Sequence, residues 1–162
     1  MKAIAYRGGV VTFRIPAHWR EEYSDLEGGT FYEDRPDSGT LRLKVITVVA
    51  PKQLQSCSAM DVLHVVVHEM KSKGVEGTTS GRNDGNAIFK YELMNSEEGV
   101  RHTICNWIVA NPLPSNRARI ATFSYTMLAN QKNRSQVQRD LEMLDAEIKA
   151  ASFSERLGVV AE

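Results

Sequence analysis

The order of periodicities narrows this chain most: three strand-like runs, a helical stretch, three more strand-like runs and a longer amphipathic helix. A β-β-β-α order used twice, with short links inside each run, assembles most economically as one antiparallel sheet, because consecutive strands can pair through tight turns.

Val10 to Ile15 is β-branched and aromatic, and it ends at Pro16, which has no amide hydrogen to continue a ladder. Thr30 to Glu33 reads as the second strand. Arg35-Pro36-Asp37-Ser38-Gly39 then supplies turn chemistry before the third, Leu41 to Val49. In the second half Ala87 to Met94, Val100 to Ala110 and Arg117 to Leu128 read as strands, joined by Ser96-Glu97-Glu98-Gly99 and Pro112-Leu113-Pro114-Ser115-Asn116. Glu76 to Asn86, rich in Gly, Asn and Thr, reads as an exposed connection.

Ser58 with Asp61 three residues on opens the first helix in the manner of a capping box; Leu63, Val66, Val67 and Met70 follow at helical spacing, and Gly74 stops it. The last helix is expected from near Ser135, with Gln138 as reciprocal cap, to about Ala151, with Val137, Leu141, Leu144 and Ile148 as its apolar stripe. Leu41, Leu43, Val45 and Val49 make one sheet face that must be covered. The other mixes Ile46, Val48, Ile88, Ile104 and Ile108 with Lys44, Lys90, Glu92, Asn106 and Thr122, and needs only partial cover. One helix on each face meets both needs, although periodicity alone also permits two layers. The fold class expected is α+β, with an antiparallel sheet of six to seven strands.

With 162 residues, 42% of them hydrophobic, one domain spanning 1–162 can bury a sufficient core; 1–9 and 154–162 are expected to be loosely ordered ends. Twenty basic and twenty acidic side chains cancel, so no long-range field favours nucleic acid or an anionic membrane. No run approaches the roughly 20 apolar residues of a membrane span, and Met1 to Gly9 lacks a secretory apolar stretch. The two cysteines, Cys57 and Cys105, fit a reducing compartment as free thiols, although spacing alone leaves a disulfide open, and a cytoplasmic protein is expected.

The segment Phe13-Arg14-Ile15-Pro16 followed by Trp19, the Ser38-Gly39-Thr40-Leu41 entry to a long strand, and Phe123-Ser124-Tyr125 before the final helix resemble the PsbP-like superfamily. That group joins extrinsic photosystem subunits, the Ran-binding import factor Mog and many bacterial domains of unassigned role. The resemblance implies an α/β/α sandwich and a binding or assembly role, with no catalytic set to carry over and no cofactor.

No residue pattern supplies an enzyme's machinery. His64 and His68 share one helix face at metal-ligand spacing, but the run His-Val-Val-Val-His lacks the internal glutamate of zincins, and a boundary pair is the simpler reading. Cys57 sits where a helix N-terminus could favour thiolate, without an evident base, and Cys105 reads as a small buried hydrophobe. Gly77-Thr78-Thr79-Ser80-Gly81-Arg82 has a phosphate loop's composition but no lysine, and it leads into a strand.

Two functions follow as expectations. The first is a non-enzymatic protein-binding module, an accessory or immunity-like factor, recognising an unidentified protein partner through the partly polar sheet face and the loops around Trp19, Arg35 and Arg82; for Trp19, packing beneath its loop competes with an exposed anchor role. The second is a small-molecule binder or enzyme whose apolar pocket, lined by Phe89, Tyr91, Phe123 and Tyr125, lies between the sheet and the final helix.

Overall fold

A computed structural model describes residues 1–49, 58–114 and 116–156. The strands are β1 (Lys2–Tyr6), β2 (Val11–Ile15), β3 (Arg20–Ser24), β4 (Gly28–Tyr32), β5 (Thr40–Val49), β6 (Gly77–Gly81), β7 (Ala87–Glu97), β8 (Val100–Leu113), β9 (Arg117–Leu128) and β10 (Ser152–Phe153). The helices are α1 (Ala59–Ser72) and α2 (Ser135–Lys149). Seven strands form one antiparallel sheet in the order β3-β4-β5-β9-β8-β7-β6, and three form a second, β1-β2-β10. The result is an α+β sandwich with a helix on each face of the large sheet, as the two apolar counts required.

The layers follow from register. In the long pairings Leu43 lies opposite Phe123, Phe123 opposite Trp107, and Trp107 opposite Lys90. Directly paired residues point to the same side, so one face collects Leu41, Leu43, Phe123, Tyr125 and Trp107. That face is sealed by β2, through Val11, Phe13 and Ile15, and by Val137, Leu144 and Ile148 of α2. The next residue along each strand points the other way. There Ala87, Phe89, Ile108, Ala110 and Ile120 pack beneath Ala59, Val62, Leu63 and Val67 of α1. The capping box that starts α1 is present: Ser58 Oγ accepts from the Asp61 amide at 3.1 Å, and an Asp61 carboxylate oxygen accepts from the Ser58 amide at 3.1 Å.

Several expectations are corrected. The first expected strand, β2, does not join the large sheet; it centres the small one, because 1–9 is no loose end but contains β1, whose Ile4 and Tyr6 are buried. The tail is held at its start, where the Ser154 amide donates to the Val10 carbonyl at 3.2 Å; 157–162 lie outside the described residues. The segments expected as connections at 20–24 and 77–81 are the edge strands β3 and β6, whose residues are all exposed and so carry no apolar alternation in the sequence. Ile88, Lys90 and Glu92 belong to the α2 side, not beside Ile46, since Ile88 pairs with Val109 and Lys90 with Trp107. Arg134 precedes α2 without a side-chain cap, and Gln138 donates instead to the Lys132 carbonyl.

Asp145 of α2 ties helix to sheet. One of its oxygens accepts from Lys90 Nζ at 2.7 Å and from the buried Trp107 indole at 2.9 Å, and the other accepts from Lys149 Nζ at 2.6 Å. Burial alone would push this carboxyl up, but the three donors together outweigh it and hold the carboxyl at about 2. Its folded value lies below the unfolded one, so the stabilisation is full above about pH 4 and is lost as pH falls towards 2. Asp145→Asn is expected to cost about 1–2 kcal/mol at pH 7 and much less near pH 2, measured by urea unfolding at both pH values.

Candidate binding face

The α1 side of the large sheet is only half covered. Beyond the helix, register lays out three rows that open towards β5, Thr40–Thr126–Ile104, Arg42–Ser124–Asn106 and Lys44–Thr122–Ile108, the last two ending on buried Asn106 and Ile108. Ile46, half exposed at 50%, stands next to them opposite Ile120. Two shallow depressions, of about 490 and 440 Å³, adjoin on this surface, and Arg42 lines both. The first also takes in Lys44, Ile46, Thr122 and Ser124; the second takes in Thr40, Thr126, Ile104 and His102. Glu27, Asp37 and Glu97 stand among the lining residues at the margins.

Several basic side chains of the fold are matched: Arg14 to Glu147, Lys132 to Glu92, Lys73 to Glu69 and Lys2 to Glu21. Arg42 and Lys44 are exposed, lie two apart on one strand face and have no ion pair among the described residues. Like charges so placed repel slightly, so stability gives no reason for their pairing on this face.

The residues singled out from sequence fall in different places. Trp19 is buried, 3% exposed, and stacks on Tyr125 with centroids 6.2 Å apart and planes 9° apart, so it supports the loop as core and is not a surface anchor. Arg35 is exposed and bound to Glu33 at 2.5 Å, near the buried pair in which the Tyr125 hydroxyl donates to Asp140 at 3.3 Å. Gln136 also donates to Asp140, at 2.9 Å, while burial pushes the Asp140 carboxyl up. Arg82 is mostly buried at the far end of α2, where it donates to the Ala151 carbonyl at 2.7 Å and pairs with Asp84 at 2.6 Å. The three therefore do not form one surface.

The expected aromatic pocket is not formed. Phe89 and Tyr91 stack on the α1 side, whereas Phe123 and Tyr125 lie in the core on the α2 side, because alternate residues of paired strands face opposite ways. Gly77-Thr78-Thr79-Ser80-Gly81 is an extended strand paired with β7, not a loop wrapped about an anion. His64 and His68 are both exposed on α1, and no group of three metal-capable side chains gathers among the described residues. Cys57 lies outside the described residues. Cys105 is a buried free thiol pushed up to about 11, first by burial and then by Glu92, whose carboxylate is 3.7 Å away. The pairing of Arg42 with Ser124 and of Lys44 with Thr122 is not visible in the sequence; the alternation of Arg42 and Lys44 with Leu41, Leu43 and Val45 is its signal.

No protein-family profile matches this chain, and no curated protein sequence matches it. Solved structures do. That of LpqN, described as involved in cell envelope biogenesis of Mycobacterium tuberculosis, is similar with a TM-score of 0.64 at 14% identity, over 89% of this chain and 83% of that one. A Bacteroides thetaiotaomicron VPI-5482 protein is similar with a TM-score of 0.64 at 16% identity, over 96% of this chain but 49% of its own, so this chain spans about half its length. At such identities the likeness shows a shared fold.

Two predictions follow from these placements. In a Cys57→Ser variant, Cys105 is expected to react with a thiol reagent at pH 8 at least a hundredfold more slowly than it does in urea. Gly39→Ala should destabilise by about 1–3 kcal/mol in thermal unfolding, because the new Cβ would lie 2.1 Å from the Tyr125 ring that Trp19 holds in place.

Proposed function

We propose that this chain is a non-enzymatic binding module, and that its recognition surface is the open part of the large sheet beside α1. The observation that carries this reading is asymmetric cover: the α2 side is sealed by a second sheet and a helix, while the α1 side leaves rows of hydroxyls, and two cations with no ion pair among the described residues, in water. Side chains held on rigid strands are well placed to recognise a partner, since little order must be gained on binding. Chemistry has no comparable support: the described thiol is buried and raised, and the expected apolar pocket is divided between two faces.

The resemblance to the PsbP-like superfamily supports a binding or assembly role, and the fold shared with LpqN, described as involved in cell envelope biogenesis, is consistent with it. A cytoplasmic setting belongs to the same proposal, supported by the free thiol of Cys105.

The test places a photo-crosslinking amino acid at Ile46 or Thr122 and, as a control, at Val65 on the outer side of α1. A discrete protein adduct in the source cells from the first two positions and none from the third is the expected result. No adduct from either sheet position, or equal adducts from all three, overturns the reading.

A further inference from the structure

Resting on that reading, we propose that the open face takes a short, extended segment of a partner protein bearing two carboxylates two residues apart, seated on Arg42 and Lys44 and flanked by apolar side chains. Four features of the surface specify this occupant.

The first is the spacing of the cations. Arg42 and Lys44 are alternate residues of β5, so their side chains leave the same face about 7 Å apart along the strand. An extended segment running alongside repeats at the same interval, and a carboxylate at every second position would meet both. The second is the set of donors beside them. Ser124 lies directly opposite Arg42, and Thr122 directly opposite Lys44, which gives each cation a neighbouring hydroxyl able to donate to the same carboxylate.

The third is what lies at the two ends. Beyond Lys44 the surface becomes apolar at half-exposed Ile46, and beyond Arg42 it reaches Thr40, with Ile104 two strands across in the same row. From Thr40 to Ile46 is about 20 Å of strand, enough to lie along about six extended residues of a ligand. An apolar side chain beyond the carboxylate on Lys44 would therefore fall on Ile46, and one beyond the carboxylate on Arg42 would fall beside Thr40 in the row that ends at Ile104. The fourth is the margin. Glu27, Asp37 and Glu97, which line the same depressions, would repel a long uniform polyanion, such as a nucleic-acid backbone or an anionic lipid surface, more than a short segment whose two carboxylates sit directly on Arg42 and Lys44. The chain's formal charge of zero agrees, since no wider positive field surrounds the two cations.

The probe is a synthetic octapeptide with two central glutamates separated by serine and a leucine two residues outside each glutamate. Its control carries glutamine for both glutamates. Titration followed by backbone amide shifts of the full chain is expected to move the resonances of 40–46 and 120–126 and to leave those of α2 in place. The glutamine control should bind at least tenfold more weakly. The double variant Arg42→Glu/Lys44→Glu should lose the glutamate peptide by a similar factor and gain a version with lysine for both glutamates; its unchanged amide spectrum elsewhere would show that the fold is intact.

Equal binding of the glutamate and glutamine peptides overturns the inference, as does glutamate-peptide binding that survives the double variant. So does a single-stranded oligonucleotide that produces the same shifts where the peptide produces none. Should the peptide fail while crosslinking from Ile46 still yields a protein adduct, the acidic-segment inference falls and the binding-module reading stands; failure of both removes both.

Discussion

Strand register is the constraint on which the rest of this molecule depends. β5 and β9 pair over ten residues, and β9 continues that register into β8. In this alignment Leu41, Leu43, Val45, Phe123, Tyr125 and Trp107 all enter the core beneath α2. A slip of one residue in β5 would carry Arg42 and Lys44 inward and place Leu41 and Leu43 in water, and burying two unmatched cations costs far more than any strand pairing returns. The apolar seal and the polar half-face are thus two consequences of a single alignment. Glycine assists at the margin: Gly28, at φ +88°, lets β4 close on β5 where a Cβ would stand 2.2 Å from the Leu43 carbonyl oxygen.

Polar ties then fix how the outer layers sit on the sheet. Apolar packing of α2 through Val137, Leu144 and Ile148 does not by itself define the helix's position along its axis, because such contacts are non-directional. Asp145 does, by accepting from sheet residues Lys90 and Trp107 at a fixed geometry. At the far end, Arg82, Asp84, Asn86, Asn111 and Arg119 form a chain of polar contacts across the sheet ends. Arg82 reaches the Ala151 carbonyl and Arg119 that of Ser154, so the segment leaving α2 is drawn towards β2, where β10 pairs. Asn111 bridges two neighbours in this chain, accepting from Arg119 at 3.2 Å and donating to Asn86 at 2.8 Å. Directional bonds of this kind select one arrangement among several of similar apolar area.

The parts legible in sequence were those with a strong period or a local chemical signal. α1 showed both its stripe and its Ser58–Asp61 cap, and the long strands β5, β7, β8 and β9 showed alternation or sustained apolar character. Edge strands were illegible because a strand hydrogen-bonded on one side and wet on both faces has no compositional requirement: Arg20-Glu21-Glu22-Tyr23-Ser24 could equally be a loop. Face assignment failed for β7 because alternation gives two sets without saying which pairs with which; only the Lys90–Trp107 register decides. The same gap divided Phe89 and Tyr91 from Phe123 and Tyr125. At the candidate surface the polar character of Lys44, Asn106 and Thr122 was legible, whereas the lack of an acidic partner for Arg42 and Lys44 among the described residues was not, since it depends on where the carboxylates lie in space.

An open sheet offers two routes to a partner, its edge and its face, and the two are differently protected here. The β3 edge presents Arg20, Glu21 and Glu22, charges of both signs that oppose addition of a further strand, and Arg20 is bound to Asp34. The β6 edge is uncharged but only five residues long, with glycine at each end, and Gly77 is crowded so closely by the Lys90 carbonyl and the Phe89 ring that no larger residue fits. Neither edge offers side chains that would tell one partner from another, because main-chain pairing is largely indifferent to sequence. The face does: its hydroxyls, cations and flanking isoleucines stand at fixed intervals on backbone already committed to ladders on both sides. In the proposed binding role selectivity would therefore come from side chains of β5 and β9, whose row is charged and hydroxylated where a purely apolar row would favour self-association.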